Sequence, residues 1–401
     1  MGEYSISLPG QVDYIIEELA GHGHEAYAVG GCVRDILLGR EPGDWDITTS
    51  ASPAEVKSIF RRTIDTGITH GTVTVMVDKC GYEVTTYRID GKYEDGRHPS
   101  SVEFTKNLLE DLKRRDFTIN AMAYNKESGL IDKFDGIGDL ERKRIRCVGN
   151  AAERFQEDSL RMLRAVRFAA QLGFAIEEAT GEAIRALASG LSRVSRERIQ
   201  AELTKLLLSP NPQEAEKLYT FGLAGEISPQ LLESFRQADT GRMLDRLAET
   251  ERDVILRYTV FLSIIKGTPA QRRKRTGSFL RDLRFDNHTI EYVSRLSEYQ
   301  DCELSCEQSL LRRQIVEVGE DIFPYLLKLQ GAKRQALLYA RMKERGDCLS
   351  VKELAVDGND LIKAGIKPGR ELGEKLKELL YLVLDKPECN KKEELLGRLG
   401  L

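Results

Sequence analysis

Residues 26–35 read Ala26-Tyr27-Ala28-Val29-Gly30-Gly31-Cys32-Val33-Arg34-Asp35, and after a short interval comes Asp44-Trp45-Asp46-Ile47-Thr48-Thr49. Ala26–Val29 predicts a short strand. Gly30-Gly31 predicts a turn that opens a helix-like run, Val33–Leu38. Gly39-Arg40-Glu41-Pro42-Gly43 is turn chemistry, and Asp44–Thr49 predicts a second strand. Residues two apart on a strand share a face, so Asp44 and Asp46 would present two carboxylates side by side. Such a pair repels unless a cation sits between, and Mg²⁺, with oxygen ligands and retained waters, suits it. The Gly-Gly turn offers backbone N–H groups to a phosphate, and Arg34 adds a charge-assisted donor. Alone, a Gly-Gly pair is an ordinary turn and a DxD an ordinary solvated loop. In this order they point to metal-assisted nucleotidyl transfer.

Outward from this stretch, Val12, Ile15, Ile16 and Leu19 have helical spacing. Ser52, Pro53 and Glu55 are N-cap, N1 and N3 of a helix running to Phe60. Thr72–Val77 and Tyr82–Arg88 are β-rich and separated by Asp78-Lys79-Cys80-Gly81, a hairpin signal. Beyond residue 140 strand signals nearly vanish: 151–172, 179–189, 195–208, 213–223, 241–265, 307–330 and 370–384 all read as helices. The expected fold class is therefore α+β. A small mixed-sheet head (1–140) is followed by an all-α neck (141–208), body (209–300) and tail (301–401).

The 401 residues are 41% hydrophobic and 31% charged, which excludes intrinsic disorder. No apolar run reaches the ~18 residues of a membrane helix, and the N-terminus lacks a secretory pattern. Seven cysteines form no CxxC pair, and no second Cys/His pair joins Cys302 and Cys306 to complete a zinc site. A reduced, cytoplasmic protein is expected. The net charge of −4 argues against a protein basic all over, but not against a basic groove, and Lys and Arg dominate 142–167.

The string GGCVRDILLGREPGDWDITTSA (30–51) resembles the first signature of the class II tRNA nucleotidyltransferase and bacterial poly(A) polymerase family, within the polymerase-β-like superfamily. Arg114-Arg115-Asp116-Phe117-Thr118-Ile119-Asn120-Ala121-Met122-Ala123 resembles its second motif. Glu157-Asp158-Ser159-Leu160-Arg161, running on to Arg164, Arg167 and Phe168, resembles its template motif. Arg193-Val194-Ser195-Arg196-Glu197-Arg198 resembles the short signature that follows. The motifs span about residues 26–208 in the family's order.

The resemblance implies that Asp44 and Asp46 are catalytic metal ligands, with Glu83 as a third carboxylate. Arg115 is implied as a nucleotide contact, Asp116 as the group that takes the ribose 2′-OH, and Asn120 as support for that pocket. Arg164 and Arg167 are assigned to the same pocket as Gly30, Gly31 and Arg34. On a continuous helix Asp158 and Arg161 are i,i+3 and share a face. They then form either a surface salt bridge or a base reader. As a reader, Asp158 only accepts and Arg161 only donates. Cytosine and adenine each offer an amino donor beside a ring-nitrogen acceptor. Uracil and guanine reverse that order, at a cost of roughly 1–3 kcal/mol per unpaired group.

Gly91–Ser100, including His98, resembles a loop that helps switch specificity from C to A, and it is not shortened as in CC-only enzymes. A strand over Gly67–Val73 resembles the tRNA enzymes more than the poly(A) polymerases. Asp357–Leu361 and Gly365–Arg370 resemble the tail of bacterial CCA-adding enzymes. The implied activity is CCA addition to the tRNA 3′ end from CTP and ATP with Mg²⁺, the acceptor stem and elbow held by body and tail. A-only addition and poly(A) synthesis are the alternatives within the family. A catalytically dead RNA-binding scaffold is opposed by the intact Asp44/Asp46 pair. No membrane is involved, and homodimerisation is left open.

Overall fold

Strand β1 (Ala26–Val29) is buried at all four positions, the pattern of a strand covered on both faces. A computed structural model, describing residues 6–91 and 102–398, places it near the middle of a seven-stranded sheet. The other strands are β2 (Asp46–Thr49), β3 (Thr63–Gly67), β4 (Thr72–Val77), β5 (Cys80–Thr86), β8 (Met122–Asn125) and β9 (Gly129–Asp132). Between β5 and β8, β6 (Arg88–Asp90) and β7 (Val102–Phe104) pair by themselves. The order across the large sheet is β3-β4-β5-β2-β1-β8-β9. Only β2 and β5 run parallel there, and their register sets Asp46 opposite Glu83.

Helix α1 (Gly10–Gly21) buries Val12, Ile15, Ile16 and Leu19, the four residues its spacing singles out. Helix α2 (Gly31–Leu37) leaves β1 through Gly30, whose φ of 86° favours glycine. Helix α3 (Pro53–Ile59) starts with the expected capping box between Ser52 and Glu55. Tyr27, Val29, Tyr87, Leu112 and Ala123 form a core cluster under the sheet.

Several boundaries differ from expectation. The second strand begins at Asp46 rather than Asp44. Its partner β1 ends at Val29 where the chain turns at Gly30, and the pairing stops at Ala28–Ile47. The hairpin turn is just Asp78-Lys79, with φ of 49° and 69°, so β5 starts at Cys80 rather than Tyr82. Gly67–Val73 is not one strand. Ile68–His70 is a 3₁₀ turn closed by Gly71 (φ 83°), which folds β4 back onto β3. Gly91 is described, but the rest of the loop to Ser100, His98 included, lies outside the described residues.

After α4 (Leu108–Lys113) and α5 (Gly136–Glu141), helix dominates. The helix expected over 151–172 is two: α6 (Ala151–Glu157) and α7 (Leu160–Leu172). Asp158 is extended (φ −141°, ψ 103°), its carboxylate accepts the Leu160 N–H, and the Ser159 hydroxyl donates to the Phe155 carbonyl. Such side-chain bonds compete with the helical ladder. Then come α8 (Glu178–Leu187) and α9 (Arg196–Leu207). Two-residue strands, Arg144–Ile145 and Ala175–Ile176, pair in parallel within this region.

The chain divides into two compact units, residues 1–236 and 237–401. In the second, every regular element among the described residues is helical. The segment expected as a helix over 241–265 breaks before Asp253, which caps Val254–Phe261. That over 307–330 breaks at Gly319 (φ 101°), and that over 213–223, in the first unit, at Gly222 (φ 79°). Positive φ suits glycine and ends a helix.

Candidate active site

Asp46 opens β2, Glu83 lies directly across on β5, and Asp44 stands two residues before Asp46. The crowding of acids shows in the proton affinities of Asp46 and Glu83. Partial loss of solvent raises the Asp46 carboxyl above its ordinary value; Arg115 opposes the rise and Asp44 adds to it. Loss of solvent, then Asp46 and Asp44, raise Glu83. The three carboxylates form one electrostatic cluster short of positive charge. Among the described residues no three His, Cys, Asp or Glu side chains stand close enough to hold an ion by themselves. The facing carboxylates of Asp46 and Glu83 fit a hard divalent cation whose remaining ligands are water and substrate phosphate.

Arg115 is the cation whose charge acts on Asp46. A Cβ on Gly30 would lie 3.0 Å from its Nη1, so the guanidinium occupies space that any other residue at position 30 would fill. Its Nη2 reaches Asp111 at 3.4 Å, and its buried Nε has no hydrogen-bond partner among the described residues. Asp111 itself is fully buried within α4. Burial would raise its carboxyl, but Arg114, Arg115 and the Thr48 hydroxyl bring it below its ordinary value.

Behind these groups runs a chain of paired charges. Arg34 is buried; its Nε and Nη2 each donate to Asp35 at 2.9 Å, and its Nη1 donates to Asn120 Oδ1 at 2.6 Å. Asn120 Nδ2 donates to Asp116 at 3.0 Å. Asp116 also accepts the Phe117 N–H at 2.8 Å and Arg164 Nε at 2.8 Å. Burial would raise the Asp116 carboxyl, yet Arg164 and Asn120 hold it well below the carboxylate range. Arg164 and Arg167 both face Glu202 of α9, at 3.6 and 2.8 Å. Burial pushes Arg167 down to about 10, which Glu202 only partly offsets. The Phe168 ring lies under three guanidinium groups, those of Arg34, Arg164 and Arg167, at 5.1, 5.4 and 3.9 Å from its centroid.

The selecting pair is arranged differently from expectation. Because the helix breaks at Asp158, that residue and Arg161 are not i,i+3 on one continuous helix. Asp158 is gripped by Arg198 of α9, Nη1 at 3.3 Å and Nη2 at 2.7 Å. Arg161 donates to Glu157 at 2.6 Å and to the Arg114 carbonyl at 2.9 Å. The structure thus brings Asp44, Asp46, Glu83, Gly30, Gly31 and Arg115 together at the sheet. It links Arg34, Asn120, Asp116, Arg164 and Arg167 in one network, and it gives Asp158 and Arg161 separate counter-ions. Sequence reasoning missed Asp111, Thr48 and Glu202. Arg198 and Phe168 stand out in the sequence only as parts of motifs. Glu202, one turn after Arg198 on the same helix, was the available signal.

A mixed sheet with Asp46 facing Glu83 on neighbouring strands, an arginine over the glycine turn that ends β1 and an arginine-rich helical neck linked to it is the architecture of a class II nucleotidyltransferase. Residues 26–146 match the poly(A) polymerase head domain, 173–235 the RNA and SrmB-binding site of polymerase A, and 251–399 tRNA nucleotidyltransferase domain 2. The chain is 41% identical to a CCA-adding enzyme of Lactobacillus delbrueckii subsp. bulgaricus over 91% of each chain. It is 40% identical to that of Enterococcus faecalis over 96% of this chain and 93% of the other. The crystal structure of the Bacillus stearothermophilus CCA-adding enzyme in complex with CTP superposes with a TM-score of 0.83 at 33% identity, covering 98% of both chains. The chain belongs to the CCA-adding enzyme family of tRNA nucleotidyltransferases. No helix among the described residues is long and apolar enough to cross a membrane.

Proposed function

We propose that the protein adds C, C and A to the 3′ end of tRNA, taking CTP and ATP in turn without a nucleic-acid template. The observation that carries this reading is Asp46 opposite Glu83, beside Arg115 and Gly30, in a chain 41% identical to a CCA-adding enzyme. Asp44 and Asp46, with Glu83, would hold divalent cations, Mg²⁺ in this reading. Bound there, they would lower the pKa of the tRNA 3′-OH and stabilise the charge that develops on the pyrophosphate leaving group.

The chain's own residues do the rest. Gly30, Gly31 and Arg115 receive the triphosphate, Arg115 with donors still unspent. Arg34 has committed its donors to Asp35 and Asn120, so it supplies charge behind the phosphates and holds Asn120 in place. Asp116 and Asn120 face the ribose, favouring NTPs over dNTPs. Asp158 accepts from the amino group of cytosine or adenine and Arg161 donates to the adjacent ring nitrogen, so both bases fit one pocket. Arg164 and Arg167 close that pocket. The body and tail hold the acceptor stem and elbow by shape and backbone contacts. We place the protein in the cytoplasm with its tRNA substrate.

The test incubates the protein, Mg²⁺, CTP and ATP with tRNA ending at the discriminator base, and separately with tRNA ending in CC. Products are read at single-nucleotide resolution. Three additions to the first and one to the second are expected. A single A on the CC-ended tRNA alone would make it an A-adding enzyme, and a long A tract would make it a poly(A) polymerase.

A further inference from the structure

Asp111 has no place in the chemistry described so far, yet it is fully buried, ionised and flanked by arginines. Its two oxygens are used differently. Oδ1 takes the strong grip of Arg114, whose Nε lies at 2.9 Å and Nη2 at 2.8 Å. Oδ2 is shared by Arg115 Nη2 at 3.4 Å and the Thr48 hydroxyl at 3.1 Å. Thr48 is buried on β2, two residues after Asp46, so the two share a face of the strand. A carboxylate within α4 is therefore latched to the strand that carries the catalytic acid, and Arg115 hangs from the same oxygen. The guanidinium has few other restraints: its Nη1 rests against Gly30 and its Nε has no partner among the described residues. An arginine held by one long contact keeps its donors for a ligand, but only the anchor decides where they point.

We propose that Asp111, braced by Thr48, is a positioning residue that fixes the Arg115 guanidinium over Gly30 for the incoming triphosphate, without touching substrate itself. The proposal rests on the nucleotidyltransferase reading of the site. Arg115 would meet the phosphates of either nucleotide, so the effect is the same for CTP and ATP. It falls on nucleotide affinity more than on the rate of the bound complex.

The experiment compares Asp111→Asn, Thr48→Val, Thr48→Ser and Arg115→Ala, with the Asp111→Asn/Arg115→Ala double variant, by steady-state kinetics and equilibrium CTP binding. Asp111→Asn is expected to raise KM for CTP and ATP about tenfold, the scale of one charge-assisted hydrogen bond, with a smaller effect on kcat. Thr48→Val, which keeps the side-chain shape but loses the hydroxyl, should raise KM about threefold, and Thr48→Ser should restore it. In the Arg115→Ala background Asp111→Asn should add less than about twofold, because its route of action is gone. An equal loss from Asp111→Asn with and without Arg115 would assign it a merely structural role and overturn the proposal. So would wild-type KM values in both Asp111→Asn and Thr48→Val. If Asp111→Asn fails to fold, the Thr48 pair decides by the same criteria. A wild type that adds no nucleotide would sink the functional reading instead, while a tenfold weaker CTP affinity in Asp111→Asn would still support the latch.

Discussion

Replacing Arg198 by alanine strips the Asp158 carboxylate of two of its three hydrogen bonds. The guanidinium reaches both carboxylate oxygens, at 3.3 and 2.7 Å, and only the Leu160 N–H at 3.0 Å remains. The two side chains are 25% and 16% exposed, so the pair is partly shielded from water, though not buried. Charge-assisted bonds of this kind contribute about 1.5–3 kcal/mol each when shielded; discounted for exposure and for the surviving bond, the loss is about 2 kcal/mol. If Asp158 reads the base amino group, that energy is spent on orientation, and kcat/KM for CTP falls about 30-fold. UTP sets its C4 carbonyl, an acceptor, where cytosine has the amino donor that Asp158 takes, and falls less, so the CTP/UTP ratio narrows. Arg198→Lys keeps the charge but loses the two-pronged grip, for an intermediate loss of about fivefold. The assay is single-nucleotide addition to tRNA lacking CCA, with CTP and UTP at graded concentrations and the fold checked by circular dichroism. A folded Arg198→Ala enzyme with the wild-type CTP/UTP ratio would refute Asp158 as the selecting acceptor.

Gly30→Ala places a Cβ 3.0 Å from Arg115 Nη1 at a φ of 86°, so it should cost about 1–2 kcal/mol of stability and raise the nucleotide KM, read by thermal melting and kinetics. Asp116 is held below the ordinary carboxylate range in the folded protein, so its contribution is present above that range and lost as pH falls through and below it. Asp116→Asn should therefore lower stability at pH 7 by about 3–5 kcal/mol while flattening its decline between about pH 5 and 3, in denaturant titrations at each pH. Phe168→Leu keeps apolar volume but removes the ring that Arg34, Arg164 and Arg167 share and its edge contact with Phe117, and should lower the unfolding free energy by about 1–3 kcal/mol.

Local chemistry was legible in the sequence where a residue's neighbours in the chain are also its neighbours in space. The Ser52–Glu55 capping box, the apolar stripe of α1, the strand–Gly30–helix passage and the β4–β5 hairpin all follow from spacings of a few residues. Boundaries were less legible, because they are set by partners far away. Asp44 falls outside β2 since β1 ends early, and no pattern within 44–49 announces that. The break at Asp158-Ser159 had a local sign, two residues prone to bond their own backbone, but the apolar periodicity of 151–172 hid it. The site's wiring was least legible. Arg34 to Asn120, Thr48 to Asp111 and Arg198 to Asp158 cross 86, 63 and 40 positions, and only the fold brings them together. Hence Glu83 could be named as a candidate acid, whereas Asp111 could not be recognised as an anchor.

A group of neck arginines already has acidic partners before any nucleic acid arrives. Five of them, Arg154, Arg161, Arg164, Arg167 and Arg198, stand against four acids, Asp116, Glu157, Asp158 and Glu202. The surplus is a single charge, and contacts this short and this shielded are scarcely weakened by dissolved ions. Holding a polyanion by its phosphates obeys the opposite rule, losing strength steeply as counter-ions are added. With the base chosen by these neck pairs, as proposed, choosing the base and gripping the RNA are decoupled: raising ionic strength should make the protein release tRNA sooner without making it select nucleotides less faithfully.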